Sequence, residues 1–307
     1  MSELIALLDI GSNAARFVLA RVTPDARFRV LRRDRVVTRL AGGKLGTLPR
    51  KGVKAVLRSA RRFLEDVRNG NDPRVVAVAT AAVRDAENSG RLLGPLRRRE
   101  GVEVKVLTAR QEARLGALAA LQSFPITRGA VADLGGGSLQ ISRVRAGKIV
   151  SIGSMPLGAV RVTRDFLKHD PPTSKELRAL RRHIREYLQV ALPARGRDEP
   201  LIGMGGTVRT IASMHVAAHR IHRKHRQGLR LLPSDVTAIR ERLAGKSARK
   251  IRKIRGVKAD RADIILGGVM VIEEVLTFGG YSRLVVCTRG VGDGLLLRET
   301  FGRRFGR

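Results

Sequence analysis

Apolar residues in this chain fall into short runs that stop at acidic or glycine-rich turns, interleaved with longer stretches of helical period. Residues 4–8 (Leu-Ile-Ala-Leu-Leu) end at Asp9 and then at Gly11-Ser12-Asn13, the pattern of a buried strand running into a turn. Alternation resumes over 16–22 and again over 27–37, which predicts a hairpin with Asp9 at its tip and a further strand. From 49 to 67 the period changes: Val53, Val56, Leu57 and Phe63 are spaced as on one helix face, and Asn69-Gly70-Asn71-Asp72-Pro73 ends the helix. A strand over 75–79, a further helix, a strand over 102–107 and an alanine- and leucine-rich helix over 111–122 follow.

The same grammar then restarts. Residues 129–133 are an apolar strand ending in Asp133, followed by Gly135-Gly136-Gly137-Ser138 and an alternating strand over 139–144. Two strand-Asp-glycine-turn-strand units imply a duplicated α/β domain, with the acid-bearing hairpins facing each other across a cleft. The second half continues with a helix over 174–192, a glycine turn over 203–207 that opens a helix at Val208, a helix over 261–276, a strand over 283–287, and a turn over 290–294 before a terminal helix. The domains are set at 1–122 and 123–293, the terminal helix 294–307 completing the first. Residues 122–127, with Pro125, are the hinge candidate.

Length and composition fit this picture. The chain has 307 residues, 43% of them hydrophobic, which suits two domains with substantial cores. No apolar stretch approaches the roughly 20 residues of a membrane span, and no basic segment precedes the first apolar run, so a cytoplasmic protein is expected. A single cysteine, Cys287, excludes an intrachain disulfide and a thiolate metal cluster. The charge changes the picture more: 61 Lys and Arg against 27 Asp and Glu leave +34, which calls for a polyanionic partner. With no Trp, two Tyr and eight Phe, stacking on single-stranded bases is disfavoured.

Glycines let backbone amides converge on phosphate oxygens, and Ser138 adds a hydroxyl donor. A carboxylate beside such a loop needs a divalent cation or a water between itself and the phosphate, and Asp9 and Asp133 both stand in that relation to their loops. Residues 203–207, opening a helix, offer another anion site through Gly205, Gly206 and Thr207. There is no Walker A sequence and no Gly-x-Ser-x-Gly elbow.

The arrangement resembles the actin, heat-shock chaperone and sugar-kinase superfamily, and within it the exopolyphosphatase and guanosine pentaphosphate phosphohydrolase (Ppx/GppA) family. The resemblance covers residues 8–13 with Arg16, Thr38-Arg39-Leu40, 79–86 with Asn88, 111–115, 133–138, 156–161, Gly205-Gly206-Thr207 and 256–263, in order. It implies an α/β protein of two ribonuclease H-like domains that hydrolyses a terminal phosphoanhydride. Glu112 takes the position of the carboxylate that directs water, with Asp133 as its catalytic companion. Asp9 and Asp133 would hold Mg²⁺ or another hard divalent ion such as Mn²⁺. Gly11, Ser12, Asn13, Gly135, Gly136, Gly137 and Ser138 would cradle phosphate, and Arg16 and Arg84 would neutralise charge in transit.

Inorganic polyphosphate is the expected substrate, with guanosine pentaphosphate the alternative and a weakly catalytic polyphosphate or (p)ppGpp sensor a third reading. Nucleic acid is the less favoured partner; no membrane partner is expected, and a homodimer is left open. Departures from the family pattern are Gln140 where relatives usually read Glu, Gly292-Asp293-Gly294 in place of Arg-Glu-Gly, and Gln227-Gly228 in place of His-Gly. His215, His219, His222 and His225 carry helical spacings that suit a metal, but Arg220, Arg223, Lys224 and Arg226 between them suit a polyanion better. Arg178, Arg181, Arg182 and Arg185 form either a solvated basic face or a track for polyphosphate.

Overall fold

The computed structural model describes residues 2–23, 27–43, 46–70, 72–192, 198–221 and 226–305. The chain forms two units, residues 1–119 with 291–307, and residues 120–290.

The first unit begins with β1 (Glu3–Ile10), β2 (Ala14–Val22) and β3 (Phe28–Val37), an antiparallel meander. Then come α1 (Arg50–Arg68), β4 (Arg74–Ala79), α2 (Ala81–Arg84), α3 (Gly90–Glu100), β5 (Val104–Val106) and α4 (Ala109–Leu121), and the strand order is β3-β2-β1-β4-β5. Strands β4 and β5 join parallel to β1. Central β1 is buried on both faces: Ala6, Leu8 and Ile10 enter one core with Phe17 and Phe63, while Ile5 and Leu7 enter another with Leu107 and Leu115. The edge strand β3 alternates half-buried and exposed positions and carries Arg29, Arg32, Arg33 and Arg35, charges that discourage pairing with another chain.

The second unit repeats the plan. It runs β6 (Arg128–Leu134), β7 (Leu139–Arg145), β8 (Lys148–Met155), α5 (Ala159–Phe166), α6 (Ser174–Ala191), β9 (Pro200–Met204), α7 (Gly205–Ala218), β10 (Arg230–Leu231), α8 (Pro233–Leu243), α9 (Ala248–Arg252), α10 (Ile265–Gly279) and β11 (Arg283–Val286). The sheet order β8-β7-β6-β9-β11 matches β3-β2-β1-β4-β5 strand for strand in direction, and β10 is added antiparallel at the edge. The last helix, α11 (Val291–Phe305), belongs to the first unit, where Val291, Leu295 and Leu296 pack with Ile5 and Leu7.

Several expectations are corrected. The strand expected over 102–107 is ordered only as β5, and β8 and α5 were not expected. The helix expected over 261–276 starts at Ile265, because Ala259–Arg261 is a separate 3-10 turn. Gly205-Gly206-Thr207 and Gly292-Asp293-Gly294, expected as loops, are first turns of α7 and α11. Glycine reads as a turn in sequence; here it is selected because helix starts pack too closely for a Cβ. A Cβ on Gly205 would overlap the Leu134 carbonyl, and one on Gly294 would overlap the Leu115 carbonyl.

The basic cluster on α6 also has an internal use. Helix α10 is buried nearly all round and places Glu273 and Glu274 in the core region. Arg185 donates to Glu274 at 2.7 Å, Arg240 to Glu273 at 2.9 Å and Arg181 to Glu273 at 3.3 Å. Buried carboxylates require such partners. Arg181 and Arg185 therefore carry a structural ion-pair role while keeping part of each side chain in solvent.

Candidate active site

In the first unit, the β1–β2 register sets Asp9 opposite Arg16, and the Arg16 Nη1 donates to Asp9 Oδ2 at 3.0 Å. Asp9 is 3% exposed. The first turn of α11 lies beside it: a Cβ on Gly292 would stand 3.5 Å from Asp9 Oδ2, so the small residue admits the carboxylate to a helix start that favours negative charge.

The turn between β1 and β2 is held by two neighbours. Gly11 N–H donates to the Ala14 carbonyl, the Thr38 and Arg39 amides donate to the Asn13 carbonyl, and the Ala41 amide donates to the Ser12 carbonyl. This explains the Thr38-Arg39-Leu40 motif: Arg39, in left-handed conformation at φ 49°, bends the chain so that two successive amides reach one oxygen. On the other side the Ala82 amide donates to Ser12 Oγ at 3.2 Å. Asn13 is 6% exposed, and neither its Oδ1 nor its Nδ2 has a hydrogen-bond partner; the Thr38 hydroxyl is likewise buried and unpartnered. Such groups cost about 1–3 kcal/mol each unless a ligand or water engages them.

Helix α2 carries Arg84, whose Nη1 donates to the Leu107 carbonyl at 2.9 Å and to Glu112 Oε2 at 3.2 Å. Glu112 lies in the first turn of α4. That helix start is fixed by a reciprocal cap, with the Gln111 amide donating to the Thr108 hydroxyl and the Thr108 amide to Gln111 Oε1. The Thr-x-x-Gln signal for it stands in the sequence. Arg16 and Arg84, expected to neutralise charge in transit, are thus each paired with one of the site's own carboxylates. The first unit accordingly brings Asp9, Gly11, Ser12, Asn13, Arg16, Arg84 and Glu112 into one connected neighbourhood.

In the second unit the corresponding register sets Asp133 opposite Gln140. The Gly135 amide donates to the Ser138 carbonyl, the counterpart of Gly11 and Ala14. Gln140 Nε2 donates to Ser138 Oγ at 2.7 Å, which leaves the hydroxyl proton of Ser138 to point elsewhere. The first turn of α5 supports the loop: the Ala159 amide donates to the Gly135 carbonyl, and those of Val160 and Arg161 to the Gly136 carbonyl. Because a trans peptide sets its N–H opposite its C=O, drawing these carbonyls toward α5 turns the Gly136 and Gly137 amides away from it, as an anion cradle requires. Gly158 makes the approach feasible, since a Cβ there would overlap the backbone of Gly136, Gly137 and Ser138.

Asp133, like Asp9, sits beside a helix start: a Cβ on Gly205 would be 3.3 Å from Asp133 Oδ1. Thr207, 1% exposed, keeps an unpartnered hydroxyl in that turn of α7. The guanidinium of buried Arg261 packs where a Gly206 Cβ would be, placing a cation against the same turn. Sequence reasoning named neither Arg261, nor Thr38, nor Gly158 individually; each lay inside a quoted motif, but only the contacts show its task.

Two units sharing one ribonuclease H-like strand order, each with an acid-and-glycine hairpin leaving its first strand, define the two-domain architecture of the actin-like ATPase superfamily. The chain belongs to the Ppx/GppA phosphatase family, whose family model matches residues 18–301. Exopolyphosphatase 1 of Mycobacterium tuberculosis is 27% identical over 308 residues, covering 96% of this chain and 88% of that one. Exopolyphosphatase 2 of the same organism is 28% identical over 325 residues, covering 95% and 97%. The crystal structure of an Aquifex aeolicus member of the family superposes with a TM-score of 0.82 at 25% identity, over 99% of both chains. An exopolyphosphatase from Cytophaga hutchinsonii reaches a TM-score of 0.89 at 23% identity, covering 98% of each chain, a likeness of fold.

Proposed function

We propose that the protein is an exopolyphosphatase that removes orthophosphate from the end of inorganic polyphosphate. The observation that carries this reading is the repeated hairpin, an aspartate followed by a glycine turn of the kind that receives phosphoryl oxygens, together with a buried glutamate fixed by an arginine. Glu112 accepts a proton from the water whose oxygen attacks the terminal phosphorus. The phosphoanhydride bond then breaks, and its bridging oxygen leaves with the shortened chain. Arg84 holds Glu112 Oε2 and so orients the carboxylate. Ser12, Asn13 and residues 135–138 receive phosphoryl oxygens, with Gly205, Gly206 and Thr207 as a further anion contact.

The donor set fits a hard divalent ion. Asp9 in the first unit and Asp133 in the second would each offer carboxylate oxygens to such an ion, and the first hairpin adds the unpartnered Asn13 amide oxygen. Mg²⁺ is the ion of choice, with Mn²⁺ as substitute; when bound it neutralises charge on the phosphoryl oxygens. Arg16, paired with Asp9 Oδ2, would share that carboxylate with the ion. We place the protein in the cytoplasm, where a chain whose one cysteine is buried loses nothing to a reducing environment. No helix among the described residues is long and apolar enough to cross a membrane.

A second reading is favoured by Gln140: at the position facing Asp133 the chain has an amide committed to Ser138 rather than a carboxylate, as in a protein that binds polyphosphate but turns it over poorly. Orthophosphate release from polyphosphate with Mg²⁺, run beside guanosine pentaphosphate at matched phosphate concentration, tests both. Release from polyphosphate supports the first reading. Binding without release supports the second, and faster release from guanosine pentaphosphate reassigns the substrate.

A further inference from the structure

The far end of α7 carries a cluster that the phosphate chemistry does not use. His215 lies in the last turn of α7 and His219 is its C-terminal cap, with ring centroids 4.2 Å apart, and Asp235 comes from the first turn of α8. One ligand atom from each of the three lies within 4.8 Å of the others, and His215 Nδ1 is 3.8 Å from Asp235 Oδ1. We infer that His215, His219 and Asp235 form a binding site for a borderline divalent ion of the Zn²⁺ class, distinct from the hard-ion chemistry at the hairpins.

The groups around the cluster favour that use. The ring of His219 lies 3.0 Å through Nδ1 from the His215 carbonyl, an acceptor that fixes the proton on Nδ1 and leaves the Nε2 lone pair for an ion. Asp235 accepts the Leu232 amide through Oδ2 at 2.8 Å, which anchors the carboxylate while Oδ1 faces His215. Burial keeps the His215 imidazole below its usual range, against the pull of Asp235 and with the help of His219. Two imidazoles and one carboxylate, with water at the fourth position, match the donor set of Zn²⁺. Sequence spacing offers this site its two histidines but not the acid. The arginines between the histidines argue against it, and the acid that completes it arrives from another helix. His222 and His225 lie outside the described residues.

The test is a titration of the full-length protein, freed of polyphosphate, with Zn²⁺ by calorimetry and with Co²⁺ by visible absorption. One equivalent should bind, the Co²⁺ form should show the intense d–d bands of a tetrahedral N/O site, and excess Mg²⁺ should not displace the ion. His219→Ala and Asp235→Asn should each weaken binding by more than about tenfold, whereas replacing both His222 and His225 with Ala should not. His219 is exposed, so its replacement leaves the fold intact. Absence of stoichiometric Zn²⁺ binding, or binding unchanged by His219→Ala and Asp235→Asn, overturns the assignment. Neither result bears on phosphate release.

Discussion

The Arg84 guanidinium joins Glu112 to the end of β5: one nitrogen donates both to Glu112 Oε2, at 3.2 Å, and to the Leu107 carbonyl, at 2.9 Å. A glutamate held in this way points in one direction, which is what proton abstraction from a positioned water demands. Glu112→Gln keeps the shape and can still face Arg84, but it cannot take a proton. Turnover of polyphosphate should fall by about 10²–10⁴-fold with KM little changed. Arg84→Ala should lower kcat as well, and in initial-rate measurements the double variant should be no worse than Glu112→Gln alone. An active Glu112→Gln enzyme would remove the glutamate from the reaction.

Gln140 and Arg16 occupy equivalent register positions, each opposite its hairpin's aspartate. Gln140→Glu sets a second carboxylate against Asp133 and breaks the donation to Ser138. Without a divalent ion the variant should melt at lower temperature than wild type at pH 7, because like charges repel. With Mg²⁺ it should recover stability and turn over polyphosphate faster. Melting curves with and without Mg²⁺, beside phosphate release, separate these effects; a variant indifferent to the ion would show that residue 140 plays no part in holding it.

Gly158 has ordinary extended backbone, φ −65° and ψ 146°, so alanine there meets no conformational penalty. The cost is steric: its methyl group would overlap the backbone of the Gly136–Ser138 turn. Gly158→Ala should destabilise the protein by about 1–3 kcal/mol and weaken polyphosphate binding. Gly101→Ala, at the C-terminal cap of α3 with nothing near its Cβ position, controls for a general glycine effect; it should cost only the left-handed strain at φ 65° and leave binding intact. Calorimetric melting and binding isotherms read both.

The capping residue Glu176 gives a pH signature. The Thr173 amide, at 2.8 Å, is the main cause that holds its carboxyl down to about 2, with His169, the Lys168 amide and the Thr173 hydroxyl adding to it against desolvation. A depressed carboxyl stabilises the fold above its unfolded value, about 4.3, and that stabilisation is lost as pH falls toward 2. Glu176→Gln should therefore lower Tm at pH 6, and the gap to wild type should close between about pH 4.5 and 2. A gap that stays constant over that range would mean the cap acts through shape alone.

The hairpins were legible in sequence because their signal is local: an apolar run stopped by aspartate and glycine can be read without knowing what packs against it. The pairing of Asp9 with Arg16 follows from strand register. The supports of the loops were not legible. Gly158, Thr38 and Arg261 lie inside segments that the family resemblance marks, but they act through contacts made elsewhere in the chain, which the segments themselves do not show. Strand β8 was missed because its residues are mostly half-buried or exposed and its apolar spacing is weak. The starts of α7 and α11 were misplaced for a single reason: glycines that permit close packing look, in one dimension, like glycines that permit a turn. Asp235 shows the same limit for chemistry, since a ligand set spread over two helices has no spacing to read.

Helix α11 comes last in the chain, yet it supplies Val291, Leu295 and Leu296 to the core under β1 and lays Gly292 against Asp9. During synthesis, the second unit has all its strands before the first has its closing helix. The part that leaves the ribosome first is therefore the last to be finished, and the core beneath its first strand, already lined by Leu107 and Leu115, is closed only by residues made close to three hundred positions later.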